Sequence, residues 1–133
     1  MVDNKEASSQ GPEAYYFARL SESVFEIQHC AACDRHQFFP RVLCMHCGSE
    51  DLSWVAPSGR GTVYSYSVVR RNPEAGGDYN VVLVDLDENV RLMSRVEGVE
   101  PGALRIGQRV QARVAQEDGK GVLVFDVVEE SHA

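Results

Sequence analysis

Four cysteines are the residues of this chain whose types and spacing best suit chemistry. They form two Cys-x-x-Cys pairs, Cys30 with Cys33 and Cys44 with Cys47, and ten residues separate the pairs. A tight turn at each pair can point two thiolates at one position, and two such turns complete a tetrahedral four-sulfur site for zinc or iron. Because four protein ligands leave no position for substrate or water, we predict a structural zinc ion. A rubredoxin-like iron site and a redox-active dithiol are the alternatives.

The other reactive side chains do not form a catalytic set. His29, His36 and His46 lie in or beside the cysteine pairs and are interpreted as neighbours of the metal site rather than ligands. No serine occurs in a G-x-S-x-G turn. Asp85 and Asp87 are two apart on a predicted strand, but a solvated strand end gives the same pattern. We therefore predict no catalytic residue in this chain.

Two arginines and two tyrosines are candidates for ligand binding. Arg70 and Arg71 lead into the glycine-containing loop 72–78, which could receive an anionic ligand such as a nucleotide diphosphate. A solvated charged turn explains the same residues equally well. Tyr64 and Tyr66 are predicted to share one strand face, where they would either stack on nucleic-acid bases or pack in a core or on a partner.

The charge of the chain argues against two classes of partner. Its formal net charge is −7 and its pI is about 5.0, whereas binding to a phosphate backbone or an anionic membrane requires clustered cations. Neither a signal peptide nor an apolar stretch of membrane-spanning length is evident. We expect a cytoplasmic protein, in which paired cysteines bind metal rather than form disulfides.

The elements that must position these residues begin with a predicted disordered tail over residues 1–11. A helix over 12–24 follows, opened by Pro12, with Phe17, Leu20 and Val24 on one face that packs on the chain itself or on another subunit. The zinc ribbon is expected over 25–56, where Gly48 supplies the positive φ that a metal-binding turn commonly needs.

The remaining residues, 57–130, are predicted to form an OB fold. Asp118 and Gly119 predict a hairpin between the last two strands. A longer connection precedes the fourth strand, which is typical of a five-stranded OB barrel. The five predicted strands cover residues 61–71, 79–86, 90–96, 108–116 and 122–128.

The order of these motifs resembles the zinc-ribbon/OB-fold proteins associated with acyl-CoA metabolism. The resemblance covers about residues 12–130, and it departs from the family at Asp34, where glycine is frequent, and in having one proline rather than two before Arg41. Asp34 can still adopt the left-handed conformation. The matching stretches are QHCAAC (28–33), FPR (39–41), CMHCGS (44–49), SGRGTVYS (58–65) and IGQRV (106–110).

The resemblance implies a non-catalytic subunit of a thiolase-superfamily enzyme, such as a thiolase, an acyltransferase or an aldolase. Such a subunit docks on the catalytic subunit and helps to hold the coenzyme A thioester, here with Arg41, Arg70 and Arg71 as the expected contacts. The helix face and the loop containing Phe38 and Phe39 are the expected docking surfaces. A nucleic-acid or general binding module is the alternative, and a metal-dependent redox carrier is a third hypothesis.

Overall fold

The computed structural model describes residues 2–128, with the side chains of residues 11–100 and 102–128. The chain divides into two compact units. One holds the residues up to Pro57 together with Val114–Val122, and the other holds Ser58–Arg113 together with the residues from Leu123 onward. Within residues 2–128, no helix combines the length and apolar character that a membrane span requires.

Helix α1 spans Val2–Ser21 and is interrupted at Gly11, whose φ of 86° and ψ of 161° are not helical. Helical backbone geometry is disfavoured in the residue before a proline, which here is Gly11. Pro12 therefore opens a new helical segment, as the sequence indicates. The structure differs from the expected tail over 1–11, because helix is already present from Val2. The helix ends three residues earlier than expected, since Ser23 turns the chain with a φ of 67°.

Among the described side chains of α1, Tyr16 and Leu20 are buried, and of the predicted face only Leu20 is buried. These two side chains are four residues apart and nearly inaccessible, whereas Phe17 is half exposed. Tyr16 packs edge-on against Phe38, with ring centroids 5.2 Å apart, and burial raises the pKa of its hydroxyl. The helix therefore covers the first unit with Tyr16 and Leu20 and leaves Phe17 available at the surface.

The first unit contains a three-stranded antiparallel sheet. Its strands are β1 (Ile27–Cys30), β2 (Arg35–Gln37) and β3 (Leu52–Val55), in the order β2-β1-β3. The central strand β1 is paired along both of its edges, and Ile27, Gln28 and Cys30 are all buried.

A six-stranded sheet contains the remaining strands of the described residues. Its order is β6-β5-β4-β8-β9-β7. The predicted fold class is confirmed, but the sheet has two ends and is not the closed five-stranded barrel that we expected. The strands are β4 (Arg60–Val69), β5 (Tyr79–Leu86), β6 (Arg91–Ser94), β7 (Val96–Glu97), β8 (Arg109–Glu117) and β9 (Lys120–Val127).

The extra strand arises because the predicted third strand breaks at Arg95. The buried side chain of Asn80 binds the backbone just after the break: its Nδ2 donates to Val96 O at 3.0 Å, and Val96 N donates to Asn80 Oδ1 at 2.8 Å. Val96 then pairs in parallel with Phe125 of β9. One predicted strand thus contributes to both ends of the sheet.

Candidate metal centre and ligand loops

Each cysteine pair sits on a tight turn of the same construction. The N–H of Asp34 donates to Cys30 O at 2.8 Å, and the N–H of Gly48 donates to Cys44 O at 2.9 Å. The donor residue is left-handed in both turns, with φ of 59° at Asp34 and 81° at Gly48. Asp34 therefore takes the role of the expected glycine, as an aspartate can.

The two turns bring all four cysteine sulfurs together. Their Sγ atoms lie within 4.8 Å of one another, and both Cys30–Cys47 and Cys33–Cys44 are 3.7 Å apart. A tetrahedral ion with Zn–S bonds of about 2.3 Å requires sulfurs about 3.8 Å apart. The residues present therefore fit a four-coordinate zinc ion.

The electrostatics of the cluster also favour a cation. Burial opposes ionisation of Cys44, but backbone N–H groups of Cys47 and His46 outweigh it and lower the pKa of that thiol to about 6. Burial and the neighbouring thiols raise the pKa of Cys33 to about 12. Four thiolates at this spacing repel one another, so all four ionise together only when a divalent ion lies between them. Such an ion would fill its four coordination positions with cysteine sulfurs and would stabilise the first unit.

The histidines near the turns contact other groups, and the ring centroids of His29 and His36 lie 4.8 Å apart. His29 Nε2 lies 2.8 Å from Asp34 Oδ1, and His46 Nε2 lies 3.3 Å from the carbonyl oxygen of His36. None of the three belongs to the metal-ligand cluster found among the described residues. Their placement agrees with the interpretation of histidines as neighbours of the site.

Two buried glutamines, which the sequence analysis did not single out, support the chain between the cysteine pairs. Gln37 Nε2 donates to Gln28 Oε1 at 2.7 Å. Gln28 binds both backbone groups of Arg41, donating to its O at 2.7 Å and accepting from its N at 2.8 Å. Gln37 accepts from the N–H of Met45 at 2.8 Å and contacts Leu43 O at 3.4 Å.

Arg70 and Arg71 border a pocket of about 550 Å³ in the second unit. Arg70 Nη1 lies 2.9 Å from Asp78 Oδ2 and its side chain is 83% exposed. Arg71 is held more tightly, since its Nε donates to Gly77 O at 2.9 Å and its guanidinium lies 4.6 Å from the Tyr79 ring centroid. The N–H of Arg71, followed by the side chain of Arg70, lowers the pKa of Asp78. Arg41 is exposed and belongs to the first unit.

The carboxylates on β5 and after it serve as ion-pair partners. Asp85 accepts two hydrogen bonds from Arg91, at 2.6 and 3.1 Å. Asp87 accepts two from Arg109, at 2.9 and 3.0 Å, and Arg109 lowers its pKa through them. Both carboxylates therefore bind arginines of the same unit.

Tyr64 and Tyr66 do not share a face, contrary to our expectation. The pairing of β4 with β5 shifts register between Val63 and Ser65, so Tyr64 is the extra residue of a β-bulge. Tyr66 lies opposite the buried Val82, whereas Tyr64 is exposed with the Arg91 guanidinium 3.5 Å from its ring centroid. The aromatic platform that would stack nucleic-acid bases is therefore not formed.

The chain matches two adjoining family models. The model described as "ChsH2, rubredoxin-like zinc ribbon domain" matches residues 17–53, and the model described as "ChsH2, C-terminal OB-fold domain" matches residues 54–115. Together they cover the cysteine turns and most of the six-stranded sheet.

Among curated proteins, the chain is 37% identical over 99 residues to a probable enoyl-CoA hydratase alpha subunit of Thermomonospora curvata. That match covers 73% of this chain but 31% of the relative, so the chain spans about a third of that protein. It is also 34% identical over 70 residues to the benzoylsuccinyl-CoA thiolase subunit BbsA of Geobacter metallireducens, covering 52% of this chain and 47% of the relative.

A solved structure is similar over most of the chain. A chain of the Ltp2-ChsH2(DUF35) aldolase is 33% identical to this chain with a TM-score of 0.77, and the match covers 87% of this chain and 94% of that one. The chain belongs to the ChsH2-type (DUF35) family, in which a rubredoxin-like zinc ribbon precedes an OB-fold domain.

Proposed function

We propose that this protein is a non-catalytic subunit of a thiolase-like acyl-CoA enzyme, whether a thiolase, an acyltransferase or an aldolase. It docks on the catalytic subunit and helps to hold the coenzyme A thioester. The observation that carries the proposal is the convergence of all four cysteines at one zinc-sized site. Thiolate nucleophiles must be free and activated, so the nucleophile of such an enzyme comes from the partner.

The names of the relatives support this role. They are a hydratase alpha subunit, a thiolase subunit and a ChsH2 chain in an aldolase, and each is one component of an acyl-CoA enzyme or an aldolase. In this chain we assign Cys30, Cys33, Cys44 and Cys47 to structural zinc. Thiolates gathered this closely persist in a reducing compartment, which supports a cytoplasmic location.

We assign contacts with coenzyme A to Arg41, Arg70 and Arg71. The diphosphate of coenzyme A is a doubly charged anion that guanidinium groups bind through paired hydrogen bonds. Arg70 is the best placed of the three, because its side chain is exposed and borders an open pocket, and its ion-pair partner among the described residues is Asp78.

Purification of the tagged full-length chain from its source organism tests the proposed role. We expect a thiolase-superfamily protein, identified by mass spectrometry, to co-purify in a fixed ratio. Isolation of the chain without such a protein, under conditions that preserve its zinc, would rule the role out.

The arginine contacts require a separate binding measurement. With the purified complex, we expect Arg70→Gln to weaken coenzyme A binding about tenfold, which corresponds to one lost charge-assisted interaction. Arg105→Gln is the matched control, since Arg105 is exposed and contacts Gln108. Equal affinities for the two variants would remove Arg70 from the site.

A further inference from the structure

The segment that follows β2 and enters the second cysteine pair is a further feature of the zinc ribbon. Residues 38–45, here named the knuckle loop, expose the side chains of Phe39, Val42, Leu43 and Met45 to different degrees, with Val42 71% and Met45 54% exposed. Four large apolar side chains on one short loop are unusual for a free surface and typical of a binding surface.

Two buried glutamine side chains bind the backbone of the knuckle loop and fix its conformation. Gln28 fixes both backbone groups of Arg41, and Gln37 binds the backbone of Met45 and Leu43. Both glutamines are buried, and a buried amide with its partners in place holds its position strongly. A surface that is ordered before binding loses little conformational entropy when a partner docks.

The charges around the loop indicate what kind of partner it fits. Residues 35–49 contain no aspartate or glutamate, and Arg35 and Arg41 are exposed there, although the whole chain has a net charge of −7. A two-fold contact between copies of this chain would bring each Arg41 towards the other, which like charge disfavours. An apolar face bordered by carboxylates on a different protein fits better.

We propose that the knuckle loop is the docking surface for the thiolase-like catalytic subunit, with Val42 and Met45, its two most exposed apolar side chains, as the main contacts. This inference rests on the proposed function and names the surface that carries it out. The sequence analysis placed docking on the helix face and on Phe38 and Phe39. In the structure Tyr16 and Leu20 are buried and Phe17 is the exposed apolar residue of the helix face, whereas the loop exposes Val42, Leu43 and Met45 beyond Phe39.

The test uses two matched double variants of the full-length, zinc-loaded chain. Val42→Asp with Met45→Asp charges the knuckle loop. Ile106→Asp with Met93→Asp charges two equally exposed residues of the second unit, which are 70% and 68% exposed. Affinity for the co-purified catalytic subunit is measured by isothermal titration calorimetry. We expect the loop variant to bind about 30-fold more weakly or worse, as at interface hot spots, and the control to bind like wild type.

The outcomes separate this inference from the proposed function. If the loop variant binds like wild type, the docking surface is elsewhere, although the role as a subunit stands. If the control variant loses more affinity for the catalytic subunit than the loop variant does, the inference is overturned in the same way. If the wild-type chain binds no thiolase-like protein, both this inference and the proposed function are wrong.

Zinc content and melting temperature show whether each variant is folded. If the double loop variant is not folded, Val42→Asp alone repeats the test. A loop variant that changes the mass of the isolated chain in light scattering would assign the surface to a second copy and overturn the proposal.

Discussion

At the scale of single residues, the chain contains a cysteine cluster that the sequence predicts and a buried pair of glutamines that it does not. The cysteines and the left-handed Asp34 were predictable, because metal ligands and tight turns leave a fixed spacing in the sequence. Gln28 and Gln37 were not predictable. In an alternating strand a glutamine looks like a solvated residue, whereas the buried Gln28 side chain binds Gln37 and the backbone of Arg41. Those partners lie 9 and 13 residues away along the chain, so the local pattern cannot reveal them.

Gln37→Ala tests the importance of the buried amide pair. The change leaves the N–H of Met45 and the Oε1 of Gln28 with one partner fewer. We expect a loss of about 1–3 kcal/mol in the free energy of unfolding, measured by urea titration. Gln116→Ala, which removes an exposed amide bound to Ser23 Oγ, is the control and should change stability by less than about 0.5 kcal/mol. Equal effects would mean that the amide pair adds nothing to stability.

At the scale of elements, the succession of strands along the OB-fold domain followed from turn signals and from the resemblance, whereas its irregularities did not. The alternation over residues 90–96 reads as one strand, but Asn80 binds Val96 from another strand and the ladder breaks at Arg95. The bulge at Tyr64 also depends on pairing with β5. Both features are set by contacts across the sheet, so a single strand's pattern cannot reveal them.

Gly61 of β4 tests how closely the sheet is packed. It pairs with Leu86 on one side and Val110 on the other. A Cβ there would lie 2.6 Å from Val84 Cγ1 and 2.8 Å from Asp85 O. We expect Gly61→Ala to destabilise the protein by about 1–3 kcal/mol in urea unfolding, as overpacking does. Gly102→Ala, which meets no atom within 4 Å, should be neutral. A neutral Gly61→Ala would mean that β4 and β5 separate easily.

The ion pairs between β7, β8 and β9 give the second unit a dependence on pH. Arg113 binds Asp126 at 2.7 Å and Glu97 at 2.9 Å. Arg95, followed by Arg113, lowers the pKa of Glu97, and Arg113 lowers the pKa of Asp126. A carboxyl group with a lowered folded-state pKa stabilises the fold above its unfolded pKa of about 4, and this stabilisation disappears as the pH falls through the folded value.

We therefore expect the urea midpoint to fall between about pH 6 and pH 3, and to fall less in Arg113→Met. Arg105→Met is the control, because any acid effect on the cysteine site is common to both variants. Identical pH profiles for these two variants would show that Arg113 does not contribute to the pH dependence of stability.

At the scale of the whole molecule, we expect a metal ion at the four-cysteine site to hold together the first unit. The single tryptophan of the chain, Trp54, lies in β3 of that unit and stacks on Tyr15 with centroids 4.8 Å apart. We expect removal of zinc by a chelator to unfold the ribbon and shift Trp54 emission to longer wavelength. Zinc should restore the signal and magnesium should not. Unchanged emission after complete loss of zinc would show that the ribbon folds without metal.

The central claim is that this chain supplies a surface and its partner supplies the chemistry. The most direct test is the rate of acyl-CoA cleavage or acyl transfer by the isolated chain, by the isolated catalytic subunit and by the two together. We predict no turnover by the chain alone and the highest rate for the recombined complex. Turnover by the purified chain alone, at a rate comparable with the complex, would contradict the account.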